Sequence, residues 1–386
     1  MAQTRLSLND PVTRGLFYQA LVIGGVVAVG WYLIHNTLTN LESRSIATGY
    51  SFLEREASFA IGETLIDYSP ADSYGRALLV GLLNTLKVSA IGIALATVLG
   101  VVVGIARLSK NFLVARLASA YVEVVRNIPP LLQLFFWYAL ITEGMPAVRQ
   151  ALEPLPGVFL TQRGLWMPVP LADPAWKAMG VAFIAACFAL WGVKRWAAAR
   201  QARTGQPFPL FAAGAGLLAG VPFVVWLAYG APTAMSVPEL RGFNFVGGVN
   251  LSPEFFAILV GLTVYTSAFI AEVVRSGILA VNWGQTEASR ALGLNNAQAL
   301  RLVVLPQALR VIIPPVTSQY LNLTKNTSLA LAIGYPDLVS IANTVINQTG
   351  QAIEGVAIIM GVYLSISLAI SLFMNWYNKK IALVER

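Results

Sequence analysis

Residues 77–108 form an apolar segment of about 32 residues, which as a helix measures near 48 Å against a hydrocarbon core of about 30 Å. Such a segment is too long for the core of an ordinary globular domain, and the pattern recurs. Further apolar runs cover residues 16–34, 118–141, 176–191, 209–229, 253–274, 306–325 and 352–376. Composition agrees: 56% of residues are hydrophobic and 11% charged, where a soluble domain carries about 25% charged residues. The expected fold is therefore all-α, a polytopic transmembrane helical bundle of about eight spans. The run at 176–191 is short for a span.

The +8 net charge does not point to nucleic acid, because the basic residues sit at the ends of apolar runs rather than in a stripe. The N-terminus with Arg5 and Arg14, the loop 107–116, the linker 194–203, the stretch 275–310 and the C-terminus are rich in Arg and Lys. The intervening loops are acidic or mixed. By the positive-inside rule this alternation predicts a multi-pass protein with both termini in the cytoplasm. The first run lacks a clear small-residue cleavage site and reads as a retained anchor. Residues 40–76 read as an extramembrane loop, and the many prolines of residues 143–176 predict a loop with little regular structure.

Catalytic classes have little to work with. Cys187 is the only cysteine and lies inside an apolar run, so no internal disulfide is possible. His35 is the only histidine, which excludes His-rich metal sites. No GxxxxGK[ST] phosphate loop is present. No cofactor is implied, and if ATP drives the protein another subunit hydrolyses it.

The most specific feature is the polar stretch from Gln285 to Gln298, continuing to Leu305-Pro306. It predicts two short helices around a glycine turn. Gly293 suits a left-handed cap, and Asn295 with Gln298 has capping-box spacing. Helices this short need a surface to dock on, so the knob is a plausible coupling element to a partner.

Glu287-Ala288-Ser289, Gly293 six residues after the glutamate, and Leu305-Pro306 resemble the EAA loop of binding-protein-dependent ABC importer permeases, with Ser289 in place of the second alanine. The flanks at 271–278 and 305–310, together with Asn84-Thr85-Leu86 and Tyr121 to Arg126, are similar to the polar amino-acid branch of that family. The resemblance covers residues 75–141 and 252–386. It implies a type I importer core in two parts, preceded by an N-terminal anchor and loop at 1–74 and interrupted by an insertion with two extra spans at 142–251. That longer layout, with Asn127-Ile128-Pro129-Pro130 where Gly-Thr-Pro is usual, resembles the permeases of general L-amino-acid or glutamate/glutamine/aspartate/asparagine transporters.

The family resemblance further implies a permease dimer, formed with a second related permease, two ATPase subunits docking on the EAA loops, and a periplasmic amino-acid-binding protein. Glu287, Ala288, Gly293, Leu305 and Pro306 would form the coupling loop, with Glu287 held by Arg290 or Arg301. A permease for another polar solute, or an ion-coupled secondary transporter needing no ATPase, are the alternatives.

The substrate pathway is sought where polar groups interrupt apolar spans. Glu123, Arg126, Asn127 and Gln133 do so, and positions 123, 126, 130 and 133 recur at nearly helical spacing, as if on one face. Pro129 and Pro130 predict a break there, whose restarted helix could seat a substrate carboxylate. Thr324 to Ser328, with Lys325, Asn326 and Thr327, suggests a second break. Compact relatives often carry Lys-Asp there, so Asn326 suits neutral or acidic amino acids. The competing reading is that Glu123, Arg126 and Lys325 only bridge helices. The extra spans, lacking charge at their apolar centres, are expected to pack peripherally or against a partner.

Overall fold

The computed structural model describes residues 11–43 and 48–381. Arg5 and Arg386, which enter the topology expectation, lie outside the described residues. Two compact units emerge, one of Met1–Trp137 with Ala257–Arg386 and one of Tyr138–Phe256.

In the first unit, α1 (Pro11–Ser43) is followed by α2 (Tyr74–Ala106), whose N-cap Ser73 accepts from the Arg76 N–H. Its buried stripe is made of small residues at four-residue spacing, including Gly92, Ala96, Gly100 and Gly104. Small residues let helix backbones approach closely, which is how helices associate when lipid offers no hydrophobic contrast. A Cβ on Gly100 would lie 2.7 Å from Ile270 Cβ, and one on Gly104 2.7 Å from the Ala271 carbonyl oxygen. Both contacts belong to α8 (Pro253–Leu279). At the end of this seam Glu272 is ion-paired with Arg107 and Arg275.

The span around 118–141 is two helices, α3 (Phe112–Asn127) and α4 (Pro130–Thr142), bent by 107°. Ile128 precedes a proline and is extended, so α3 cannot run through. This bend corrects the single face expected for positions 123, 126, 130 and 133.

The second unit departs most from expectation. Residues 143–176 are not structureless: β1 (Leu152–Leu155), β2 (Val158–Thr161) and β3 (Gly164–Met167) pair antiparallel. A short β4 (Val169–Pro170) follows them. Pro154 lies within β1, which is an edge strand of irregular register, and the left-handed Gly164 (φ 105°) closes a two-residue turn with the buried Thr161 hydroxyl on its carbonyl. Then comes α5 (Pro174–Thr204), 31 residues long. The expected linker at 194–203 is helical, because no glycine or proline and mostly Ala, Arg and Gln separate Lys194 from Thr204, and Gly205 provides the stop. The fourth span is therefore not short. α6 (Leu210–Ala215) and α7 (Val221–Ala228), joined by a π turn, return along α5. β5 (Met235–Ser236) pairs with β4, β6 (Glu239–Arg241) with β7 (Asn244–Val246), and β8 (Val249–Leu251) completes the order β1-β2-β3-β8. Phe159 stacks on Phe245 at 4.5 Å beside Trp166, a small aromatic core.

After α8, the first unit resumes with α9 (Trp283–Ala291), α10 (Asn296–Ala299), a π turn at Leu300–Val304, and α11 (Leu305–Asn326). A 3₁₀ turn at Thr327–Ile333 leads to α12 (Leu338–Thr349) and α13 (Ala352–Ile381). Hydropathy alone predicts no element at 338–349, since 12 residues cannot span a bilayer. Its signals are its caps, Asp337 at the start and left-handed Gly350 at the end. Among the described residues seven helices are long and apolar enough to cross a membrane, or eight with the bent pair counted as one span, as the helical-bundle expectation requires.

Candidate functional site

The polar hairpin between α8 and α11 forms as its residues dictate. Asn282 caps α9, and Gly293 takes φ 81° at its end. Asn295 and Gln298 make both halves of a capping box on α10. Pro306 directly follows Leu305 at the start of α11, where the π turn at Leu300–Val304 runs into the helix and the hydrogen-bond ladder changes register. Ser289, at the position of a family alanine, is buried and its hydroxyl donates to the Thr286 carbonyl, which disposes of the extra polar atom.

Glu287 does not engage Arg290 or Arg301. It accepts from the Trp283 indole at 2.9 Å, one helical turn earlier, while Arg290 donates to Asn296 and lies over the Trp283 ring. The carboxylate thus braces α9 itself. Ala288 is exposed beside it, and Leu292 (82% exposed) and Trp283 (64%) stand out from the hairpin. The hairpin is thus a short, internally braced knob that leaves large apolar side chains bare.

The polar pathway residues separate. Asn127 donates back to the Glu123 carbonyl, and Glu123 is exposed. Gln133 is buried, with its amide on the carbonyls of Val125 and Ile128, so it satisfies the open end of α3. The N–H groups of Leu132 and Gln133 meet the Pro129 carbonyl, and Pro130 has none. Two of the first-turn donors of α4 are thereby used within the break itself, which narrows the free helix end expected there. Lys325 is exposed, and the Thr327 hydroxyl donates to the Thr324 carbonyl and faces Tyr363. Tyr363 in turn donates to Asp337, whose wholly buried carboxyl is pushed up to about 6 by desolvation, against N–H donors such as that of Ser340.

Arg126 and Asn326 share one neighbour, Phe269. The Arg126 guanidinium lies 5.0 Å over the Phe269 ring. Phe269, Tyr265, Thr266, Gln319, Asn322 and Asn326 line a cavity of about 240 Å³. Its wall sets the amides of Gln319, Asn322 and Asn326 and the hydroxyls of Tyr265 and Thr266 beside the Phe269 ring, over which the Arg126 cation lies. Gln319 and Asn322 are additions to the sequence expectation. Their signal was present, because 319, 322 and 326 follow helical spacing on one stripe of an apolar span.

Helices that cross a bilayer, a braced knob between two of them and a polar cavity within the bundle define a membrane permease. Residues 96–383 match the family described as binding-protein-dependent transport system inner membrane component, and the chain belongs to that family. It is accordingly an integral inner-membrane transport subunit, not an enzyme, and ATP hydrolysis in this family resides on a separate subunit. The chain is 51% identical over 382 residues to a putative amino-acid ABC transporter permease protein of Escherichia coli K12, covering 99% of this chain and 97% of that one. It is 49% identical to a general L-amino acid transport system permease protein of Rhizobium johnstonii, over 99% and 96% of the two chains. Identity is 41% to a glutamate/glutamine/aspartate/asparagine transport system permease protein of Rhodobacter capsulatus, over 99% and 97%.

Proposed function

We propose that this chain is one permease of a binding-protein-dependent ABC importer for L-amino acids. The observation that carries this reading is near full-length similarity, insertion included, to permeases named for amino-acid transport. A periplasmic amino-acid-binding protein delivers the substrate. ATPase subunits grip the hairpin of α9 and α10 and rock the spans between two facings. A second, homologous permease completes a heterodimer and covers Glu123 and Lys325, which a single chain leaves exposed. Both termini lie in the cytoplasm. Residues 142–251 are an insertion into a core formed by 75–141 and 252–386, behind the anchor and loop at 1–74.

The cavity between α8 and α11 suits a zwitterion. Amides of Gln319, Asn322 and Asn326 can donate to a carboxylate and accept from an ammonium, and Arg126 biases the region toward negative charge. Lacking a lysine or carboxylate among its lining residues, it fits neutral or acidic amino acids. The decisive experiment is uptake by proteoliposomes holding the full complex. L-amino-acid uptake should require ATP and binding protein, and alanine at Arg126, Asn326 or Gln319 should lower it at least tenfold. Uptake driven by an ion gradient without ATP would sink the importer reading, and unchanged kinetics in all three variants would sink the pocket.

A further inference from the structure

In the second unit, residues 174–238 contain no Asp or Glu, yet Lys194, Arg195, Arg200 and Arg203 crowd one end of α5. No ion pair among the described residues involves them. Immediately before them, Phe183, Ile184, Cys187, Phe188 and Trp191 line an open apolar groove of about 380 Å³ along the helix surface. Phe188 is 72% exposed and Trp191 59%. The stripe that packs inward is a different one: Ala186 and Ala197 are buried, and Leu190 meets Gly214 of α6.

Helical spacing decides which cations matter. Lys194 and Arg195 follow Trp191 by three and four residues and Cys187 by seven and eight, so they flank the head of the groove. Arg195 lies 4.4 Å over the Trp191 ring, which holds its charge at that place. Arg200 points elsewhere, onto Trp196 at 5.5 Å. From Phe183 to Lys194 the rise is about 16 Å, the length of much of one acyl chain. An apolar slot in a span, closed by a tryptophan and two unneutralised cations, matches one amphiphile: tail below, anionic headgroup above.

We propose that α5 carries a binding site for an anionic glycerophospholipid, with an acyl chain in the 183–191 groove and the headgroup phosphate on Lys194 and Arg195. The site goes beyond the transport reading and is independent of which solute is carried. Orientation signalling needs only the positive charges. The groove beneath them is the additional feature, and the occupant follows from charge complementarity with a leaflet that is always present.

Native mass spectrometry of the full complex tests this in micelles with equal phosphatidylglycerol and phosphatidylethanolamine of matched chains. The wild type should retain phosphatidylglycerol preferentially. Lys194→Gln with Arg195→Gln should lower that preference about 30-fold, at about fivefold per cation. Arg200→Gln with Arg203→Gln should change it less than about threefold, as expected for cations off the groove. Cys187→Trp fills the groove without altering charge or orientation, and should lower retention of phosphatidylglycerol while thermal unfolding stays unchanged. Three results would overturn the proposal: an unchanged preference in the 194/195 variant, an equal loss in the 200/203 variant, or displacement of the lipid by soluble glycerol phosphate.

Discussion

Replacing Gly100 with alanine adds one methyl group at a close seam of the first unit, where α2 meets α8. Its Cβ would sit 2.7 Å from both Cβ and Cγ2 of Ile270 and 2.9 Å from the Ser267 carbonyl oxygen. Ordinary contact begins near 3.4 Å, so the helices must part by several tenths of an ångström along a tightly packed line. Overpacking of this kind costs about 1–3 kcal/mol, whereas alanine in a helix gains about 1 kcal/mol over glycine. Gly361→Ala in α13 supplies the reference, since a Cβ there has no neighbour within 4 Å and only the propensity gain acts. The difference between the two variants removes propensity and leaves the seam, so Gly100→Ala should fall about 1–3 kcal/mol below Gly361→Ala. Denaturation in mixed micelles, followed by helical circular dichroism, measures it. Equal stability of the two variants would refute the close-packed seam.

Three further outcomes follow from single residues. Gly293 has open space around it, so substitution there is penalised by its positive φ alone, about 1–2 kcal/mol; Gly293→Arg should insert normally yet lose ATP-coupled uptake, and Gly293→Asn should retain more of it. Asp337 has a folded-state value near 6 against an ordinary 3.8, so its contribution to stability is present below pH 3.8 and is lost as pH rises to about 6. Asp337→Asn, which keeps an acceptor for the Ser340 N–H, should flatten that window and recover up to about 3 kcal/mol at pH 7, read as unfolding midpoint against pH. Glu272→Ala leaves Arg107 and Arg275 without their shared anion in a half-buried place and should cost about 1–2 kcal/mol in the same micelle assay, between the values for exposed and buried pairs, with Glu272→Gln intermediate.

Sequence alone determined the features that depend on neighbours in the chain. Long apolar runs demanded membrane helices, Pro129-Pro130 broke a span, Gly293 and the Asn295–Gln298 pair built the hairpin, and the basic run ends proposed an orientation. Each rests on local dihedral or solvation preferences, which are legible residue by residue. Tertiary structure decided what depends on distant partners. The 107° bend divided the single face expected for Glu123, Arg126 and Gln133, and turned Gln133 inward to close α3. Contact between α8 and α11 gathered Tyr265, Gln319, Asn322 and Asn326 around one cavity, although no spacing joins residue 265 to residue 319. Pairing of β3 with β8, more than 80 residues apart, gave order to a proline-rich stretch that read as loop, because strands four residues long are stabilised by their partners and not by their own composition.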